Sequence, residues 1–189
     1  MPIKQVGVEL GWGPAKLSGT WEPDRAERDA AWELYVELVT RVSVAPLEPG
    51  KGILREALTS LYELFGVTRE VLRKYGPAVG RAPKEPGQYR FGHLAVWMLN
   101  AALRPVLAEW HPRLEQWEAA RPAERSRGEY EAAWEAAPAM RQELEALRRL
   151  LFRYAEILAL VCEAPALIDA THEVFAALAQ ESGRETGHG

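Results

Sequence analysis

Arg104 and His111 are the two residues whose types and spacing are best suited to chemistry. They lie seven positions apart in the segment Arg104-Pro-Val-Leu-Ala-Glu-Trp-His111. In a helix this separation spans two turns and puts both side chains on one face. A histidine transfers protons near neutral pH, and an arginine binds phosphate and stabilises negative charge in a transition state. The pair is therefore a candidate site for cleavage of a phosphodiester.

The same spacing resembles the motif of HEPN ribonucleases, in which an arginine is followed after four to six residues by a histidine. That resemblance implies an all-helical fold and metal-independent RNA cleavage by the arginine and histidine at a dimer interface. It covers only this motif and the general helical content. Pro105 departs from the family pattern, because the position after the arginine is usually polar. The resemblance defines an alternative function, with Arg104 and His111 as catalytic residues and RNA as the substrate.

The sequence favours a structural role for both residues over a catalytic one. Arg104 is expected to pair with a carboxylate such as Glu109 or Glu63, because a buried guanidinium without a partner is costly. His111 and Pro112 are expected to end the helix, with the histidine capping its last carbonyls. In this preferred interpretation the chain has no catalytic residue.

Other signatures of catalysis or metal binding are missing from the sequence. It contains no Gly-rich phosphate loop, no His-Glu-x-x-His pair and no Gly-x-Ser-x-Gly elbow. No glutamate lies three residues before His93, His111 or His172, which argues against a di-iron site in a helical bundle. Cys162 is the only cysteine, so the chain can build neither an internal disulfide nor a cysteine-rich metal site. We expect no metal and no cofactor.

Seven tryptophans are many for a chain of 189 residues. Trp12 and Trp21 lie in a loop-like N-terminal segment, where an exposed tryptophan more often marks a protein interface than a core. These two residues are the interface candidates of the sequence. Four others are expected to pack between helices rather than form a ligand cage: Trp97, Trp110, Trp117 and Trp134.

The composition excludes several classes of protein. Hydrophobic residues make up 48% and charged residues 26% of the chain, which is ordinary for a globular protein and unlike a disordered one. A formal charge of -4 gives no support to charge-driven binding of nucleic acid or anionic membranes. The most apolar stretch, residues 91–110, carries too many polar residues for a membrane span. A single cysteine favours a reducing compartment, so we expect a cytoplasmic protein.

The run from Ala137 to Val161 is the clearest structural signal. Its apolar residues recur at alternating steps of three and four, which puts them on one stripe of a helix. They are Ala137, Met140, Leu144, Leu147, Leu151, Tyr154, Leu158 and Val161. Ser126 to Glu129 matches a capping box, so this helix is expected to begin near Ser126 and to bend at Pro138. It would contain about 37 residues and measure roughly 55 Å, a length that requires packing partners.

Further helices follow from apolar periodicity and from stop signals such as Gly76-Pro77. They are expected from Asp24 to before Pro46, from about Gly52 to Tyr75, from Arg90 to Trp110, across Leu114 and Trp117, and from Pro165 onward. Pro105 should kink the third of them. Residues 77–89 should form the longest irregular connection, and loops of that length are often functional.

The N-terminal segment is predicted to differ from the rest. Val6, Val8, Leu10 and Trp12 alternate with smaller or polar residues, which favours a short strand or an extended arm. Residues 11–23 carry turn signals and are expected to be a loop. The sequence thus predicts an N-terminal arm at residues 1–23, a helical bundle domain at 24–181 and a disordered tail at 182–189. The predicted class is an all-α bundle of four main helices with additional short ones.

Four segments together resemble an uncharacterised bacterial family of all-helical proteins. They are Glu33–Arg41 (ELYVELVTR), Leu54–Tyr62 (LREALTSLY), Thr68–Gly76 (TREVLRKYG) and Leu103–Pro112 (LRPVLAEWHP). The resemblance extends from about residue 9 to residue 163 and implies no activity, so it supplies no catalytic residue. Single-domain bacterial proteins of this kind are commonly parts of multigene systems, including defence systems, which is an association rather than a mechanism.

The preferred prediction is a non-catalytic interaction or adaptor subunit of a bacterial multiprotein system, with defence as a candidate role. Its partner would be another protein subunit or a second copy of the chain. RNA is a partner only in the alternative interpretation, and no membrane is expected.

Overall fold

The chain is mainly helical and carries one small sheet. The structure is a computed structural model that describes residues 4–41, 52–171, 173–174 and 176. Six helices lie in the described ranges: α1 (Arg25–Val39), α2 (Leu54–Tyr75), α3 (Phe91–Trp97), α4 (Arg104–Ala119), α5 (Arg127–Ala132) and α6 (Ala137–Cys162). The predicted predominance of helix is confirmed, whereas a purely α class is wrong because of the sheet. The arrangement of the helices as a bundle stays a prediction.

The N-terminal segment is a β-hairpin rather than an arm followed by a loop. β1 (Val6–Trp12) pairs antiparallel with β2 (Ala15–Trp21), and β2 pairs parallel with the short β3 (Gln88–Tyr89). Gly13 has a φ of +54° in the two-residue turn, and Pro14 follows it with the negative φ that its ring imposes. The prediction of a loop at residues 11–23 is therefore wrong, because β2 lies within this range. Apolar and polar residues alternate too weakly in the sequence of β2 to indicate a strand.

The predicted start of α1 at Asp24 and the predicted stop of α2 at Gly76 are confirmed. Asp24 caps α1 in a capping box with Glu27. Gly76 ends α2 with a φ of +56°, and a short 3-10 turn, Gly76–Ala78, follows. α1 ends at Val39. The expected end before Pro46 lies in residues 42–51, outside the described ranges.

Helices α3 and α4 form one continuous helical rod that passes through both of its prolines. A π-helical segment, Met98–Leu103, joins α3 to α4, and in its wider turn the Arg104 N–H donates to the Leu99 carbonyl. Pro105 follows at once, in the first turn of α4, and Pro112 lies inside α4. The expected helix end at His111 and Pro112 is wrong. The fully buried Leu114, one turn further on, anchors the helix beyond the proline.

The long helix predicted from Ser126 is divided in two. The capping box of Ser126 and Glu129 is present, but it begins the short α5, and α6 starts only at Ala137. Pro138 occupies the first turn of α6, where a proline is tolerated because the N–H there has no intrahelical acceptor. Trp134 lies in the break, and its ring packs edge-on against Trp110 at 6.2 Å.

The apolar stripe of α6 is buried along its whole length, as predicted. α6 packs against α1 and also against β1, which places the hairpin on the core. A further helical segment at residues 166–171 follows α6 and buries Ile168. The predicted tail at 182–189 lies outside the described residues.

Candidate functional site

Arg104 and His111 lie along the seam between α4 and α2. The Arg104 guanidinium sits 5.4 Å from the centre of the Phe65 ring, and its Nε donates to Asn100 Oδ1 at 3.0 Å. The His111 ring meets the Tyr62 ring edge-on at 5.2 Å. Phe65 and Tyr62 are three residues apart on α2, so the proline between Arg104 and His111 does not turn them to opposite sides of the helix.

The carboxylates expected to neutralise Arg104 are engaged elsewhere. Glu63 pairs with Arg41 at 2.9 Å, and Glu109 pairs with Arg113 within its own helix. Arg104 is exposed and forms no ion pair with any described residue. The predicted ion pair of Arg104 with Glu109 or Glu63 is therefore wrong. The packing of α4 against α2 places the Phe65 ring, rather than a carboxylate, next to the guanidinium.

A largely apolar groove opens beside Arg104. It has a volume of about 680 Å³ and lies between the end of α2, the short strands and the exposed face of α3 and its π-helical extension. Val96 is 46% exposed on this face, and Trp97 is partly buried beside it. His93 and Asn100 are the two polar side chains of the lining apart from the Tyr89 hydroxyl. The residues that form the walls are Leu17, Leu72, Val79, Tyr89, Val96 and Trp97.

The two tryptophans proposed as interface anchors occupy different environments. Trp12, at the end of β1, is partly buried and packs against the edge of the core. Trp21 is 0% exposed, and its ring lies 6.2 Å from that of Phe91. The expected partial exposure of Trp21 is therefore wrong. Pairing of β1 with β2 turns Trp21 into the core, whereas Trp12 stays available as an interface candidate.

β1 is an edge strand of the sheet, since β2 pairs with it on one side only. Trp12 and Ala15 face each other at the two-residue turn as a hydrogen-bonded pair. Along an antiparallel hairpin, hydrogen-bonded pairs alternate with pairs that are not hydrogen-bonded. The N–H and C=O groups of Gly7, Glu9 and Gly11 accordingly point away from β2. No hydrogen bond within the described ranges reaches these backbone groups. The strand presents a row of free donors and acceptors.

Two carboxyl groups with shifted pKa values are buried and serve the fold. Burial raises the pKa of Glu27, against the opposing effect of hydrogen bonds from Phe91 N–H and Asp24 N–H and of the nearby Arg90. Burial also raises the pKa of Glu131, whose Oε2 accepts from Leu54 N–H at 2.8 Å. Neither carboxyl is accessible to a substrate, since Glu27 is 0% and Glu131 6% exposed.

The other titratable groups in the part of the chain that the structure describes form no catalytic cluster. Burial raises the pKa of the Cys162 thiol to about 12, so the thiolate that would act as a nucleophile is scarce at neutral pH. The described ranges hold no cluster of three or more side chains able to bind a metal. None of the described helices is long and apolar enough to cross a bilayer.

Two further depressions differ from the groove in charge. One of about 590 Å³ between α1 and α2 is lined by Trp32 together with Glu33, Glu37 and Glu70. The other, of about 620 Å³, lies near Arg81, Lys84 and Arg90, the loop residues with basic side chains. Arg90 in this second depression is already paired with Asp24 and Glu27.

Comparisons of the chain with protein families, with curated proteins and with solved structures give no match. A function is therefore inferred from the geometry of these surfaces.

Proposed function

We propose that the protein is a non-catalytic interaction subunit that binds another protein through the free edge of β1. The row of unpaired backbone groups at Gly7, Glu9 and Gly11 is the observation that supports this proposal. A strand of the partner would pair with this edge and extend the sheet, a common mode of peptide recognition. The setting that we propose is a cytoplasmic bacterial multiprotein system of the kind found in defence.

The composition of β1 supports pairing with a second strand. Edge strands of monomeric proteins are usually short or carry lysine, proline or a bulge that prevents further pairing. β1 has seven residues without lysine or proline, and Glu9 is its only charged residue. Gly7 does not need its glycine for the fold, because its φ is not positive and an added Cβ would meet nothing within 4 Å. The missing side chain leaves space for another backbone.

Replacing Glu9 with proline should separate partner binding from folding. Proline removes an N–H that points away from β2, so the hairpin bonds remain while the edge loses a donor and gains a bulky ring. We expect recovery of the partner protein, measured by affinity purification from native cells and mass spectrometry, to fall by about tenfold or more. Glu9→Thr is the matched control, because it removes the charge and keeps the N–H.

Trp12→Ala tests the aromatic anchor at the end of the same edge, and we expect it to weaken the complex without preventing folding. Sedimentation of the purified protein shows whether the second strand comes from another copy of the chain. A folded Glu9→Pro variant that keeps the full complex would refute the role of the edge. A wild-type protein that neither recruits a partner nor self-associates would refute the proposed function itself.

A metal-independent ribonuclease remains the second candidate function, and the accessibility of Arg104 favours it. Arg104 is exposed and has no ion pair among the described residues, and His111 lies on the same seam. A guanidinium in this position can contact a phosphate, and the imidazole can transfer a proton. Such a site would still require a second copy of the chain to enclose the RNA.

Incubation with single-stranded RNA tests this alternative. We expect no cleavage by the wild-type protein, because the preferred function is non-catalytic. Cleavage that disappears in His111→Ala and in Arg104→Ala would establish the ribonuclease and overturn the preferred function. Glu109→Ala, on the same helix but tied to Arg113 rather than to the seam, is the control for non-specific effects.

A further inference from the structure

The groove beside α3 has the character of a small-molecule site. Ligand pockets are typically of ~300–1,000 Å³ and are mainly apolar, with a few polar groups that orient the ligand. The groove measures about 680 Å³, and Leu72, Val96 and Trp97 are among its apolar side chains. None of the described residues that line it carries a carboxylate. A π-helical segment forms part of its wall, and such segments are frequent at functional sites.

Arg104 lies next to the groove through its hydrogen bond to Asn100, and no acidic side chain among the described residues pairs with it. Asn100 lines the groove, and its Oδ1 accepts a hydrogen bond from Arg104 Nε at 3.0 Å. The remaining guanidinium donors of Arg104 form no hydrogen bond or ion pair with any described residue. A guanidinium binds a planar carboxylate through two parallel hydrogen bonds. Arg104 can therefore bind a carboxylate while it stays anchored to Asn100 and Phe65.

We infer that this groove binds a carboxylate with an aliphatic chain, of the fatty-acid type. The chain would lie against Leu72, Val96 and Trp97, and the carboxylate would lie at Arg104 and Asn100. Residues 92–100 run along the wall of the groove, which gives it a length of roughly 12 Å at 1.5 Å per residue. This length suits a chain of medium size.

The charge distribution selects an anion over a cation. The depression between α1 and α2 carries three glutamates, whereas none of the described residues that line the groove is acidic, and Asn100 of its lining is hydrogen-bonded to Arg104. A positive head group would find no carboxylate among the described lining residues, and the charge of Arg104 next to Asn100 would repel it.

Ligands with one tail and different head groups test this inference directly. Isothermal titration calorimetry is run with monomeric dodecanoate, dodecyltrimethylammonium and dodecanol, at concentrations below micelle formation. We expect saturable binding of one dodecanoate per chain, with an affinity at least about tenfold higher than for the cationic ligand. Equal affinity for the anionic and cationic ligands, or no saturable binding of dodecanoate, would overturn the inference.

Two substitutions at Val96 provide a matched pair. Val96 is 46% exposed, so a charged side chain is accommodated there without loss of the fold. Val96→Glu places a negative charge in the groove and should weaken dodecanoate binding by about tenfold. Val96→Lys has a similar length and polarity but the opposite charge, and it should retain or increase the affinity. Equal loss in both variants would show that only apolar contact matters and would refute carboxylate recognition.

Arg104 has its own pair of variants. Arg104→Gln should weaken dodecanoate binding by about tenfold and leave dodecanol binding unchanged, because only the head-group contact is lost. Arg104→Lys should keep part of the affinity through its charge. Unchanged binding of dodecanoate to Arg104→Gln would exclude Arg104 as the head-group site. Glu9→Pro should bind dodecanoate as the wild type does, because the groove and the edge of β1 are separate surfaces.

Discussion

Replacing Glu27 with alanine should destabilise the protein by about 3–5 kcal/mol, the range for breaking a buried ion pair by removing one partner. Glu27 is 0% exposed and connects the start of α1 to the start of α3. One carboxylate oxygen accepts from Phe91 N–H at 2.8 Å, and the other accepts from Asp24 N–H at 3.0 Å. Arg90 lies 3.1 Å from the same carboxylate.

The size of this effect follows from what alanine would leave behind. The N–H of Phe91 would be buried without an acceptor, and the mostly buried Arg90 would lose one of its two carboxylates. The capping box at the start of α1 would also be lost. Chemical denaturation followed by circular dichroism measures the change in the free energy of unfolding.

Glu37→Ala is the matched control on the same helix. Glu37 pairs with Arg41 near the surface, and Arg41 keeps its second partner, Glu63, when Glu37 is removed. Removal of an exposed ion pair costs about 0–1 kcal/mol. A Glu27→Ala variant no less stable than Glu37→Ala would show that the carboxylate does not connect α1 to α3.

Leu151→Ala should lower the free energy of unfolding by about 2–5 kcal/mol, because it leaves a cavity in the centre of the core. Leu151 is 0% exposed and lies in the middle of α6. α6 contacts both α1 and β1, so the structure around Leu151 has little freedom to collapse into the space. Thermal and urea unfolding of the purified variant measure the loss.

Leu160→Ala is the control within the same helix. Leu160 is 47% exposed, so the same substitution there removes less buried surface and leaves no enclosed cavity. We expect a change of about 1 kcal/mol or less. A melting temperature of Leu151→Ala that stays close to that of Leu160→Ala would contradict the burial of the stripe.

The free edge of β1 and the groove beside α3 were outside the reach of the sequence. The alternation from Val6 to Trp12 indicates a strand, but it does not indicate which edge stays unpaired. Trp21 illustrates the difficulty, because its burial depends on pairing with β1 and on the distant Phe91. The sequence alone therefore predicted that Trp21 is an exposed interface residue, whereas in the fold it is a core residue.

The Arg104–His111 spacing was visible in the sequence, but its environment was not. Which carboxylate or ring meets Arg104 depends on the helix that packs beside α4. The structure puts Phe65 there and pairs Glu63 with Arg41 instead. The spacing in the sequence identified Arg104 and His111 as candidate residues. Only the packing of α4 against α2 showed that the Arg104 guanidinium is accessible.

The sequence by itself determined the features that depend on neighbours along the chain. The stripe of α6, the start of α1 at Asp24, the capping box at Ser126 and the stop at Gly76 follow from periodicity and from hydrogen bonds that span three or four residues. These interactions have the same form in any protein with that local sequence.

The tertiary structure decided the features that join distant parts of the chain. The first N–H of α2, at Leu54, is capped by Glu131 from α5, 77 residues away, and no local pattern indicates this contact. β3 pairs with β2 across a comparable separation, and Trp134, between α5 and α6, packs against Trp110 of α4. Such contacts form only when folding brings the groups together, because their energy comes from burial and mutual satisfaction of polar groups.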